Sequence, residues 1–143
     1  RAVATLVRAS RTVAVNVVLG VADLEACVLR QTTASTYNIV DASGRILRTT
    51  TIGDGIQARQ GAVLSVADCA VFGHDRAGIV VDGSAKALLR RSLSAGNYFG
   101  LAVQGGPQVV KQALALFGNE QNLVSDQGLA IPQAPELVDG VVP

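Results

Sequence analysis

Residues 78–103 read GIVVDGSAKALLRRSLSAGNYFGLAV. The stretch opens and closes on one phrase: Gly78-Ile79 with Val81, then Gly100-Leu101 with Val103. The same step continues on both sides. Ile56, Ile79, Leu101 and Leu123 lie 23, 22 and 22 residues apart, and each follows a turn-forming residue: Gly55, Gly78, Gly100 and Asn122. A second series keeps phase with the first: Gly73-His74, Gly96-Asn97 and Gly118-Asn119, at steps of 23 and 22. Two markers in phase define a repeat. At this length the repeat is a solenoid, whose units are stable only when stacked on one another.

The residues inside the unit decide which solenoid. The dense Leu pattern with Asn or Cys of a leucine-rich repeat is missing, and helical repeats need longer units with a period near 3.6. The runs after each turn residue alternate instead. Ile56 and Ala58, Ile79 and Val81, and Leu101 and Val103 share one face. Alternation over a few residues is a half-buried strand. A second short strand follows in each unit, as in AVLSVADCAVFG at 62–73. The pattern predicts an all-β chain, a right-handed parallel β-helix of about five to six coils of 22–23 residues, the hand following from the preference of parallel crossovers. Ile56, Ile79, Leu101 and Leu123 form an interior column, and Gln57, one residue on, faces solvent.

The GI/GL strand starts and the GH, GN, GN corners resemble the right-handed parallel β-helix superfamily, the pectate-lyase-like fold. So does the phrase VLxVAD, at 18–23 and again at 63–68. The copies are 45 residues apart, which is two coils or one coil with a long loop. The resemblance implies that stacked corner side chains at His74, Asn97 and Asn119 bond along the solenoid axis. A ligand-binding role for His74 is the competing reading. The fold hosts lyases, hydrolases, adhesins and passive stalks, so it does not fix a function.

The 143 residues suffice for one domain, 1–143, with a real core. Apolar residues make up 49% and aromatics 3%, so Val, Ala, Leu and Ile fill the narrow interior. A net charge of +1, with no basic stripe or interleaved aromatics, gives no signature of nucleic-acid binding. The longest apolar run, 13–22, is too short to span a bilayer. Cys27 and Cys69 read as two small buried hydrophobes and pair only if their coils are adjacent. One His and no clustered thiols give no metal site. Residues 31–54 break the repeat, as an expanded corner or a degenerate coil. The Pro-containing segment 128–143 ends the last coil. The chain starts with Arg1, which reads as a processed product, an excised domain or a fragment. The apolar first stretch lacks a cap, and this predicts that further residues upstream or another subunit cover the first coil, the isolated chain self-associating through it.

Chemistry is sparse. Arg59, Asp82, Gln104 and Asp126, spaced 23, 22 and 22, form an outward polar column, the candidate binding surface. Under the resemblance, such a column is where polysaccharide-cleaving relatives act. Asp82, Asp126 and Arg59 would then be catalytic, with calcium as cofactor in a lyase or with paired carboxylates in a hydrolase. The acidic tripeptides of the polygalacturonase-like branch are absent. Gly73–Arg76 places His74, Asp75 and Arg76 side by side, a spacing that seldom converges on one atom. Arg90 and Arg91 are adjacent, so one must leave the core or the strand must end there. No phosphate loop or nucleophile elbow is present. The reading is a non-catalytic structural or binding module, extracellular or at the cell surface, with a polysaccharide or surface partner. The alternatives are a polysaccharide lyase or glycoside hydrolase of the pectate-lyase-like group, and a self-assembling filament unit.

Overall fold

The structure, a computed structural model, describes residues 1–40, 43–126 and 128–129. Most of the C-terminal end segment expected at 128–143 lies outside them. The described chain is a parallel β-solenoid of five coils, each giving one strand to each of three sheets. The first coil is β1 (Ala2–Val3), β2 (Leu6–Arg8) and β3 (Val13–Val18). The second carries β4 (Val21–Glu25) and β5 (Val28–Arg30). It then detours through an antiparallel hairpin, β6 (Ser35–Val40) and β7 (Ile46–Ile52), before β8 (Asp54–Arg59). The third is β9 (Val63–Ala67), β10 (Ala70–Phe72) and β11 (Ala77–Asp82). The fourth is β12 (Lys86–Arg90), β13 (Leu93–Ala95) and β14 (Phe99–Gln104). The fifth is β15 (Gln108–Gln112), β16 (Ala115–Phe117) and β17 (Gln121–Ser125).

The break at 31–54 is therefore an expanded corner. The hairpin leaves and re-enters at one place, since Gly53 packs so closely on Ala34 that a Cβ would lie 2.9 Å from its Cα. The detour also explains the spacing of the VLxVAD copies. Val21 pairs with Val63, a step of 42, so the two phrases are three residues out of register.

The marker column stacks in register: Val15, Ile56, Ile79, Leu101 and Leu123. Ile56, Ile79 and Leu101 are fully buried, while Leu123, on the last coil, stays 46% exposed. The glycines before them are strand residues, not turns. Ala77 and Val80 belong to an outer cluster, whereas Ile79 and Val81 belong to the inner core. Alternation thus slips by one at Gly78, which also faces inward. A Cβ there would lie 2.1 Å from Ser94 Oγ, and one on Gly55 would lie 2.7 Å from His74 Nε2. Glycine is required at these places by crowding from the neighbouring corner side chains.

Both remaining corners of each coil use one device. Between the first and second strand, Ala4, Ala26, Asp68, Arg91 and Ala113 have φ from 43° to 57°. Between the second and third, Ala9, Gln31, Gly73, Gly96 and Gly118 have φ from 55° to 68°. One left-handed residue turns the chain, and its N–H still bonds to the next coil, as in Gly73 to Ala95 O at 3.1 Å and Arg91 to Gln112 O at 2.8 Å. L-residues adopt this region at about 1–2 kcal/mol each, a cost that the continuous hydrogen-bond ladder offsets.

Gln57, expected at the surface, is instead only 1% exposed. The outer face of the third sheet is covered. Ala77, Val80, Phe99, Ala102 and Val124 form a second apolar cluster on it, with Leu129 packed against them. At its start a buried Asp54 accepts from Gln57 Nε2 at 2.6 Å, Arg76 Nε at 2.8 Å and the Ala77 N–H at 3.1 Å. A buried carboxylate is tolerated only with such full satisfaction.

Replacing Ile79 with Asp is expected to destabilise the chain by at least about 4 kcal/mol, by burying an unpaired charge. Gly78→Ala should cost about 1–3 kcal/mol through overpacking against Ser94, and the exposed Lys86→Ala less than about 0.5 kcal/mol. Urea unfolding curves of the three variants check this ranking.

Candidate functional site

The predicted polar column is assembled as its spacing requires. Asp82 pairs with Gln104, Arg59 follows Ala58 opposite Val81, and Asp126 follows Ser125 opposite Val103. Its side chains, however, are engaged with their own chain. Gln104 donates from Nε2 to Leu129 O at 2.9 Å and accepts the Leu129 N–H at 2.8 Å. Asp126, itself at φ 53°, accepts the Gly105 N–H at 3.2 Å and so holds the corner that ends the fourth coil. Arg59 is 5% exposed, and burial lowers its pKa against the opposing charge of Asp82. Asp82 alone in the column is half-buried.

His74, Asp75 and Arg76 diverge, as adjacent corner residues should. Asp75 accepts the Ala34 N–H at 2.8 Å and tethers the hairpin base to the third coil. Arg76 turns to Asp54. His74 points inward and joins a ladder running along the axis. Its Nδ1 accepts the Thr32 N–H at 3.2 Å, and its Nε2 lies 3.2 Å from Leu29 O, which fixes the neutral Nε2–H tautomer. Its own N–H donates to Asn97 Oδ1 at 2.9 Å, and the Asn97 N–H donates to Asn119 Oδ1 at 3.0 Å. Ser10 extends the column through Thr32, hydroxyl to hydroxyl at 2.9 Å. Burial pushes the His74 imidazole below its ordinary value; the Leu29 carbonyl and the charges of Asp54 and Asp75 oppose that shift. The residue is a structural acceptor and donor at once, with neither ring nitrogen left for a ligand.

The other corner repeats this logic with different chemistry. The Cys27 N–H points at Cys69 Sγ, 3.3 Å away, and the Cys69 N–H donates to Ser92 Oγ at 3.1 Å. Each side chain also donates to the carbonyl two residues back: Cys69 to Ala67 at 3.1 Å and Ser92 to Arg90 at 2.7 Å. The cysteines are thus on adjacent coils, in register and unbonded to each other, and burial pushes the Cys69 thiol up. The inward Ser94 is likewise satisfied, donating to Gly100 O at 2.7 Å. Arg90 ends its strand, and Arg91 takes the left-handed corner, where it forms a two-pronged, solvent-exposed pair with Asp68 at 2.8 and 2.6 Å.

One feature lay outside the sequence reading. A groove of about 360 Å³ follows the second corner, floored by Gly73, Gly96 and Gly118 and walled by Asp75, Tyr98 and Glu120. Asp75, Tyr98 and Glu120 occupy successive coils, so the backbones of the two acidic residues stand about 9.6 Å apart by rung spacing, with an aromatic residue between them. Tyr98 is 48% exposed and braced edge-on by Phe99 at 4.6 Å. The signal was available, since all three residues follow the GH, GN, GN marker by one position.

No group of three or more His, Cys, Asp or Glu side chains is placed to hold a metal ion among the described residues, and no helix there is long and apolar enough to cross a membrane. Compared with known proteins, the chain matches no family model, no curated protein and no solved structure. The parallel β-solenoid therefore stands on the structure itself.

Because the folded-state pKa of His74 lies below its unfolded value, its neutral form contributes stability that is complete above about pH 6.5. That contribution declines as pH falls below this value. His74→Asn, which copies the next two coils, should keep the fold at pH 7.5 and flatten the loss of stability toward pH 5. Urea midpoints at the two pH values, for both proteins, check it.

Proposed function

We propose that the chain is a non-catalytic β-solenoid module, structural or binding, of an extracellular or cell-surface protein. The observation that carries this reading is how the reactive groups are used. His74, Asp54, Arg76, Gln104, Asp126 and the two cysteines all hold backbone or one another in place. What remains open to a partner is shaped for contact: the corner groove with Tyr98 between Asp75 and Glu120. A polysaccharide or other polar surface partner fits that groove, because an aromatic face flanked by hydrogen-bonding carboxylates suits a sugar ring. The extracellular setting rests on the resemblance to the pectate-lyase-like fold.

The runner-up is a lyase or hydrolase of that group, acting through Asp82, Asp126 and Arg59, with calcium in the lyase case. The adjacency of Arg59 and Asp82 favours it; the engagement of Asp126 and Gln104 weighs against it.

Self-association through the first coil belongs to the same proposal. Among the described residues, β1, β2 and β3 pair on one side only, and their inward Ala2, Val7 and Val15 are half-buried. The opposite end differs. There Lys111 takes the inward position stacked on Leu89, a charge of the kind that blunts an open edge.

Incubation with pectate, polygalacturonate and alginate, with and without calcium, is expected to give no turnover. Any glycan retained by the protein should be released by Tyr98→Ala and unaffected by Asp82→Asn. Turnover abolished by Asp82→Asn or Arg59→Ala would replace this reading with the enzymatic one.

A further inference from the structure

The three outer faces of the solenoid are unlike. The first sheet presents a mixed surface, with Asp23, Glu25, Lys86, Arg90 and Gln112 among its outward residues. The third carries an apolar cluster with Leu129 packed against it, beside the polar column of Arg59, Asp82, Gln104 and Asp126. The second is apolar and open. One outward column there is Leu6, Val28, Ala70, Leu93 and Ala115; the other is Arg8, Arg30, Phe72, Ala95 and Phe117. Leu6 is 58% and Phe117 74% exposed. Shallow grooves of about 540 and 360 Å³ lie on either side of Leu93, the second lined by Phe72, Ala95, Phe117 and the corner glycines.

We propose that this face docks a second copy of the same chain, face to face and with the solenoid axes reversed. Charge selects both the partner and the direction. Arg8, Arg11 and Arg30 stand along one edge of the face on the first two coils, whereas Asp75 and Glu120 stand along that edge on the third and fifth. Two copies aligned in the same direction would crowd their guanidinium groups at one end. Reversed copies set each basic end against the other's acidic end. Reversal also matches size. Leu6 meets Ala115, Val28 meets Leu93, and Phe72 meets its own counterpart near the two-fold axis. Arg8 meets Phe117, a cation over an aromatic face. Such a pairing is isologous and closes at two.

The patch spans about 19 Å along the axis by rung spacing and about 10 Å along its three-residue strands, on the order of 200 Å² per copy. A stable interface needs about 800 Å² per partner. The dimer is therefore weak and reversible.

Sedimentation equilibrium of the whole chain from about 10 μM to about 1 mM tests it. A monomer–dimer step is expected, separate from any stacking through the first coil. Phe117→Asp and Leu93→Glu should each weaken it at least about tenfold. Both positions are on the outer surface, so unchanged far-UV spectra and urea midpoints will show that the fold is intact. Arg8→Glu should weaken the dimer, and Arg8→Glu combined with Glu120→Arg should restore it. A strictly monomeric protein at the highest concentration would overturn the proposal. So would a dimer indifferent to Phe117→Asp and Leu93→Glu, which would assign association to the edge of the first coil. Capture of the monomer by anionic phospholipid vesicles without dimerisation would assign the face to a lipid surface, and the proposal would likewise fall.

Discussion

Every coil of this solenoid turns at residues in the left-handed conformation, and at corners of the second to fourth coils the N–H that follows points along the axis with no strand opposite to receive it. The fold depends on supplying that acceptor. At one corner it comes from His74, Asn97 and Asn119, at the other from Cys69 and Ser92, and always from the coil above. A buried N–H without a partner costs about 1–3 kcal/mol. With several such groups on two corners, leaving all of them without acceptors would cost an amount comparable to the whole net stability of a small domain. The apolar columns give the driving force for stacking, but they are tolerant of slippage along a strand. The corner side chains fix which coil rests on which.

The same constraint explains why chemistry is scarce here. A side chain that fills a ladder position has its polar atoms committed to backbone, and the inward glycines opposite it leave no room for a substrate. The ordinary reactive residues of the chain, its histidine and its cysteines, are spent in this way. Function is left to the surfaces between corners: the groove around Tyr98, the open apolar face of the second sheet and the hairpin projecting from the second coil. The thread joining them is the ladder itself, since Asp75, Tyr98 and Glu120 each follow a ladder residue directly.

The repeat and its interior column were legible because Ile56, Ile79 and Leu101 recur on a fixed step, and the GH, GN, GN corners kept phase with them. The other corner was not, because its device is written in dissimilar letters. Ala26-Cys27, Asp68-Cys69 and Arg91-Ser92 share a conformation and a hydrogen bond but no residue type. The join between the first two coils and the third is obscured for a related reason. The hairpin adds residues to one corner, so the conspicuous VLxVAD phrases suggest a step of 45 where the strands pair at 42. Gln57 alternates outward as its position demands, yet it is buried and bonded to Asp54, whose other side-chain partner, Arg76, comes from the next coil, and no local pattern carries that information. The polar column was found by spacing, but the partners of Gln104 and Asp126 are likewise contacts that spacing cannot express.

Amide hydrogen exchange, resolved residue by residue, tests the central role of the ladders most directly. The N–H groups of Thr32, His74, Cys69 and Asn97 lie at corners and have side-chain acceptors only. They should exchange as slowly as those of Ile79 and Leu101 in the strands, opening only with the fold as a whole. Corner amides that exchange at the rate of the exposed hairpin, while the strand amides remain protected, would show that strand pairing and apolar packing hold the coils without the ladders.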